Sequence, residues 1–221
     1  LCEGTDGTSL PSLSLPDRYL PFSSIGKSFA ENNICEMGYA VSKIYARSII
    51  EEFSIRFDEN IHCLEDLLFM YQYLLHCDYL VLNHMQNYVY VKHSFSLSHR
   101  IHSFESEYCC FVKYQQLLAE MMKVWKIPAG DMVVTVNSML VPFRRALKSD
   151  YQPDRTIPRE MRIKHLKRMI SESRDVFLKY YHPVFKTDKL GKVLLGFNCY
   201  ILYDFYIRLL FRLNIGPVFY G

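Results

Sequence analysis

Glu65 and Asp66 are adjacent carboxylates that open an apolar, helix-patterned run, Leu64-Glu65-Asp66-Leu67-Leu68-Phe69. Neither belongs to the apolar stripe. An acidic residue in a first helical turn is favoured by the dipole and by unpaired backbone N–H groups. That alone explains a structural cap. The same position keeps a carboxylate ionised at neutral pH, as a base that deprotonates a hydroxyl must be. Partial burial then keeps it basic enough to be useful. Other chemistries have less behind them. Six of the eight histidines fall at positions 62, 76, 84, 93, 99 and 102, with no His-x-x-x-His pair and no companion glutamate, so no metal site is expected. Cys63 follows His62 and Cys77 follows His76, but adjacent side chains diverge on most backbones. No Gly-x-Ser-x-Gly elbow, P-loop or phosphate-cradling glycine loop occurs.

The elements that must position these carboxylates are legible in the pattern. The chain has 221 residues, half of them apolar and 22% charged, with 9 Gly and 9 Pro, a globular composition. Seven cysteines at irregular spacing without Cys-x-x-Cys point to reduced thiols and a cytoplasmic setting. Residues 1–30 read as loop. Tyr39–Ile50 reads as a short helix or strand-helix junction. Phe53, Ile55 and Phe57 alternate with polar residues and predict a brief strand. Leu64–Cys77 predicts an amphipathic helix. Strands are expected at Asp78–Leu82 and Asn87–Lys92. Ser103–Trp125, Ala129–Leu147, Pro158–Tyr181 and about 193–213 predict long helices, the first capped by Ser103. The fold class expected is α+β and predominantly helical, with residues 1–100 as a mixed α/β region and 101–221 as a helical region.

Three further segments stand in order around Glu65-Asp66. Upstream are Tyr39-Ala40-Val41-Ser42-Lys43-Ile44-Tyr45-Ala46-Arg47-Ser48 and Ile55-Arg56-Phe57. Downstream is Tyr88-Val89-Tyr90-Val91-Lys92-His93-Ser94-Phe95-Ser96-Leu97-Ser98. This ordered set, under a third of the chain, resembles the second half of bacterial glycosyltransferase family 2 enzymes. The resemblance implies part of a GT-A type α/β domain followed by a C-terminal helical bundle. It also implies inverting transfer of a sugar from a nucleotide-sugar donor to a glycan or lipid-linked acceptor, as in polysaccharide biosynthesis. On that pattern Asp66 is the general base and Glu65 orients the acceptor. Lys43, Tyr88, Tyr90, His93 and Ser96 line the substrate site. Val41, Ser42, Ala46 and His93 depart from the residues usual there. The family's Asp-x-Asp, which holds Mg²⁺ or Mn²⁺ against the donor diphosphate, occurs nowhere in the chain. The expectation is therefore a C-terminal portion without its nucleotide-binding half, holding no metal and transferring little or no sugar by itself.

Charge is uneven. Residues 1–141 carry a net of −6 and residues 142–192 a net of +8, within an overall +3. No nucleic-acid motif accompanies the basic stretch, so nucleic acid is not an expected partner. An anionic membrane surface and a second copy of the chain are further candidate partners, and a peripheral location at the inner membrane follows from the first. The longest uncharged stretch of the last helix, Val193–Tyr203, has 11 residues, short of the roughly 20 needed to span a bilayer. Lys192, Asp204, Arg208 and Arg212 predict a narrow polar stripe on an otherwise apolar helix. The competing reading of the whole is a non-catalytic helical interaction module.

Overall fold

A computed structural model of the chain describes residues 2–3, 9–10, 17–31, 34, 40–85, 90–91, 100–127, 133–152, 155–179, 183, 185–213 and 215. These residues form an α+β, predominantly helical structure. The chain divides into two compact units. One comprises Leu1–Arg100 and Val112–Ser138, the other Ile101–Phe111 and Met139–Gly221. The expected cut at residue 100 therefore misses 112–138, which join the first unit.

In the first unit β1 (Cys2–Glu3) pairs antiparallel with β2 (Ser9–Leu10). β3 (Arg18–Pro21) leads directly into α1 (Phe22–Glu31). These two replace the loop expected before residue 31. α2 (Arg47–Glu52) and α3 (Glu65–Leu74) follow. β4 (Tyr79–Leu82) then pairs antiparallel with β3, Tyr19 opposite Val81. β5 (Tyr90–Val91) runs parallel to β1. Of the strand expected at Asn87–Lys92, residues 87–89 and 92 lie outside the described residues. No strand forms at Phe53–Phe57, where residues 53–54 are a turn and 55–58 are irregular. The alternation there serves another purpose. Ile55 is buried, while Phe53 stacks on His76 at 3.7 Å between ring centres and Phe57 stacks on Phe69 at 4.6 Å.

α3 is buried on nearly every side from Leu67 to Leu74, which makes it the axis of this unit. α4 (Phe104–Val124) begins in the second unit and ends in the first. Its later turns bring Tyr114 to Tyr71, the hydroxyls 2.9 Å apart, and Phe29 of α1 closes the cluster against Tyr71 and Trp125. Gly26 has its reason here. A Cβ at that position would stand 2.7 Å from the Trp125 Cβ.

The second unit holds the start of α4, most of α5 (Val133–Ser149), α6 (Arg159–Glu172), α7 (Arg174–Lys179), α8 (Lys186–Gly196) and α9 (Tyr200–Arg212). The Ser106 N–H donates to the Ser103 hydroxyl at 3.4 Å, the cap expected of α4. Phe111, Phe143 and Phe177 form a fully buried aromatic line. Two expected helices are each split. Ser173 separates α6 from α7, and residues 197–199 separate α8 from α9. At the second break Asn198 is left-handed (φ 58°), with the Cys199 N–H on the Leu194 carbonyl and the Asn198 N–H on that of Leu195. That pair of bonds is a Schellman C-cap.

Candidate functional site

The carboxylate pair sits where the sequence predicts it. Glu65 and Asp66 form the first turn of α3. Two stretches far apart in sequence meet at Asp66. Its Oδ1 accepts the N–H of Leu67 at 2.8 Å, and its Oδ2 accepts the N–H of Ala40 at 3.3 Å. The segment that begins at Ala40 then runs along α3. The Ala46 N–H donates to the Tyr73 hydroxyl at 2.7 Å, and the Tyr45 ring stands edge-on to Phe69 and Tyr73. Lys43 lies midway between these two fastenings. Its Nζ donates to the Val41 carbonyl at 3.4 Å.

The backbone carries a second mark of the same place. Five non-glycine residues among those described have positive φ: Ser42, Ser54, Leu64, Lys126 and Asn198. Ser54, Lys126 and Asn198 end α2, α4 and α8 with the paired bonds of Schellman caps, so helix termination accounts for them. Ser42 (φ 58°) and Leu64 (φ 64°) end no helix. One immediately precedes Lys43 and the other lies two residues before Asp66. A left-handed non-glycine residue costs about 1–2 kcal/mol, so such a conformation persists only where the surroundings impose it.

The electrostatics set the two charged groups against each other. Burial pushes the Asp66 carboxyl above its ordinary value. The Leu67 and Ala40 amides oppose that, and the neighbouring Glu65 charge reinforces it. Burial lowers the Lys43 ammonium, against the pull of the Asp66 carboxylate. Tyr45 is pushed up to about 12, first by burial and then by the Asp66 charge. Its hydroxyl is buried with no hydrogen-bond partner among the described residues. Sequence reasoning gave Tyr45 no part in the site. Its place two residues after Lys43, in the segment that lies along α3, was the available signal.

Tyr90 is described only as a backbone position of β5, opposite Cys2. Tyr88, His93 and Ser96 lie outside the described residues. Asp66 lines neither of the two cavities described in the chain, both of which belong to the second unit. Among the described residues no three His, Cys, Asp or Glu side chains are arranged to hold a metal ion. Beside Asp66 the second carboxylate is Glu65, and the Lys43 ammonium opposes a further positive charge. These residues do not fit the divalent ion that the resembled family uses. The chemistry open to them is that of a carboxylate, its amide donors and an ammonium.

No family model matches the chain, and no curated protein or solved structure was found similar to it.

Proposed function

We propose that this chain supplies the acceptor side of an inverting glycosyltransferase of the GT-A type, with Asp66 as general base. One observation carries the reading. A half-buried carboxylate of raised basicity, at a helix start, is tied through the Ala40 amide to the segment bearing Lys43. The same two segments resemble elements of family 2 enzymes, and each holds a left-handed residue, Ser42 in one and the α3 N-cap Leu64 in the other, that terminates no helix.

In the reaction the acceptor hydroxyl attacks the anomeric carbon of a nucleotide-sugar. A C–O bond forms there as the bond to the nucleoside diphosphate breaks. The diphosphate leaves with the electron pair, and the hydroxyl proton passes to Asp66. Oδ2, with the longer amide bond, is the more available oxygen. Glu65 orients the acceptor. Lys43 favours the ionised form of Asp66 and offers a cation to donor phosphates.

The test is Asp66→Asn in the polypeptide that carries this sequence, assayed for sugar transfer from nucleotide-sugars to glycan or lipid-linked acceptors. Loss of a general base lowers kcat by about 10²–10⁴-fold and leaves substrate binding in place. Undiminished turnover in the variant overturns the assignment. A second reading, a non-catalytic helical interaction module, draws on Asp66 lining neither described cavity. It requires that no transfer be detected with any donor and that Asp66→Asn leave partner binding unchanged.

A further inference from the structure

α9 departs in part from what its sequence predicts. Its apolar residues should face the core and its polar stripe the solvent. Of the stripe, Arg208 and Arg212 are exposed, but Asp204 is 2% exposed and paired with Arg162. Ile201, Leu202, Phe205 and Leu209 face outward, with Phe205 68% exposed. The face continues past the Schellman turn, where Phe197 is 77% exposed, and onto α8 through Val193 and Leu190. Val193, Phe197, Ile201, Phe205, Leu209 and Leu213 recur every four residues and are all exposed. Beside Ile201 and Leu202, between α6 and the start of α9, opens a groove of about 300 Å³ edged by Lys167.

The charges around this face have one sign. On α8 and α9, Lys186, Lys189, Arg208 and Arg212 are exposed and Lys192 is half-buried. The only acidic residues of these two helices, Asp188 and Asp204, are both buried. Exposed apolar side chains interspersed with cations do not suit a second copy, because face-to-face pairing would set like charges against each other. They suit a surface that accepts apolar side chains and attracts cations. Among the described residues no helix is long and apolar enough to cross a membrane.

We propose that α8 and α9 form an interfacial membrane-docking surface. The exposed apolar side chains of the pair enter the headgroup–acyl boundary of an anionic bilayer, and Lys186, Lys189, Lys192, Arg208 and Arg212 meet the lipid headgroups. The proposal rests on these two helices alone and holds whether or not Asp66 is a base. The close approach of α8 to α9 makes the pair a rigid wedge. A Cβ on Gly191 would stand 3.1 Å from the Tyr203 ring, and the Tyr206 hydroxyl donates to the Thr187 carbonyl at 2.9 Å.

The test is co-sedimentation of the full chain with vesicles of phosphatidylcholine alone and of phosphatidylcholine mixed with phosphatidylglycerol. The chain should bind the mixed vesicles, bind the neutral ones far less, and be released as salt shortens the screening length. Lys189→Gln and Arg212→Gln should each weaken binding about fivefold. Phe205→Ser should weaken it about tenfold or more, with the circular dichroism melt unchanged because the residue is exposed. Binding that ignores lipid charge and salt, or that survives Phe205→Ser unaltered, overturns the proposal. So does a wild-type dimer that Phe205→Ser makes monomeric and that does not sediment with vesicles. The wild-type lipid and salt dependence decides the matter even where a variant fails to fold.

Discussion

Replacing Arg162 by Met isolates the ion pair that holds Asp204 of α9 inward. Arg162 is 8% exposed and Asp204 2%. The contact is two-pronged, Nε to Oδ1 at 2.6 Å and Nη2 to Oδ2 at 3.0 Å, and the Tyr151 hydroxyl also donates to Oδ1 at 3.1 Å. Removing the guanidinium leaves a buried carboxylate with the Tyr151 hydroxyl. Breaking a buried pair from one side costs about 3–5 kcal/mol. At about 2–4 °C per kcal/mol for a chain of this size, Tm should fall by roughly 6–20 °C at neutral pH. The pH dependence gives the sharper signature. Burial by itself would raise the Asp204 carboxyl, but the hydrogen bonds and charge of Arg162 outweigh it and hold the group below its ordinary value. In the wild type the stabilisation is therefore fully present above the unfolded value, about 3.9, and is lost as pH falls through the lower folded value. In Arg162→Met burial dominates and the folded value rises. The penalty is then largest at neutral pH and disappears as the carboxyl takes up a proton. Thermal melts by circular dichroism across that acid range should show the two Tm curves converging. A further exchange, Asp204→Leu in the Arg162→Met background, should recover most of the loss, because a well-packed apolar pair does about as well as a buried ionic one. A Tm deficit independent of pH, or a double variant as unstable as the single one, would show that volume and not charge sets the cost. The account of the orientation of α9 would then fail.

Two other substitutions test the first unit. Asp66→Asn should raise stability to urea at neutral pH. A carboxyl whose folded value is raised weakens folding once ionised, and that cost vanishes as pH falls through the shifted value, so the advantage of Asn should vanish in acid. An unchanged or lowered urea midpoint at neutral pH would contradict the burial described for Asp66. Gly26→Ala should destabilise by about 1–3 kcal/mol, because the new methyl meets the Trp125 Cβ and the Ile127 side chain at 2.7–2.9 Å. Trp125 is the only tryptophan, so its emission should shift in the folded variant; an unshifted spectrum with full stability would refute the contact.

What was legible in the sequence followed the strength of local signal. α3 is legible because its apolar residues recur at helical spacing and its carboxylates mark the first turn. Ser103 marks the cap of α4. β3 and α1 were hidden. β3 buries one residue of four, Leu20, so it shows no alternation, and α1 contains Ser23, Ser24, Gly26 and Ser28, residues weak in helices. Tertiary contact explains that composition, since Gly26 admits Trp125. Phe53–Phe57 alternated for a reason other than pleating, its phenylalanines covering His76 and Phe69 from a turn. At the candidate site the residue types of Asp66 and Lys43 were legible. Their meeting through the Ala40 amide, and the orphaned Tyr45 hydroxyl, depend on a chain reversal across 26 residues that no local pattern encodes.

The burial of Asp204 shows where amphipathic reasoning breaks down. Helical periodicity separates an apolar face from a polar one, and burying the apolar face is the usual resolution. In α9 the resolution holds only in part: Asp204 is buried, while Arg208 and Arg212 stay in solvent beside the exposed Ile201, Leu202, Phe205 and Leu209. Asp204 is drawn inward because Arg162 and Tyr151 together satisfy both of its oxygens, removing most of the penalty for burying a carboxylate. With Tyr203, Ile207 and Leu210 also buried on that side, the core is served by a mixed face, and Ile201, Leu202, Phe205 and Leu209 are left outward with Arg208 and Arg212. The Schellman turn at Asn198 separates α8 from α9, and exposed apolar residues occur on both. An unbroken helix of this composition would have had to bury one face along its whole length. Broken at Asn198, the segment buries both of its acids, keeps Lys186, Lys189, Arg208 and Arg212 in solvent, and leaves exposed apolar side chains on both helices.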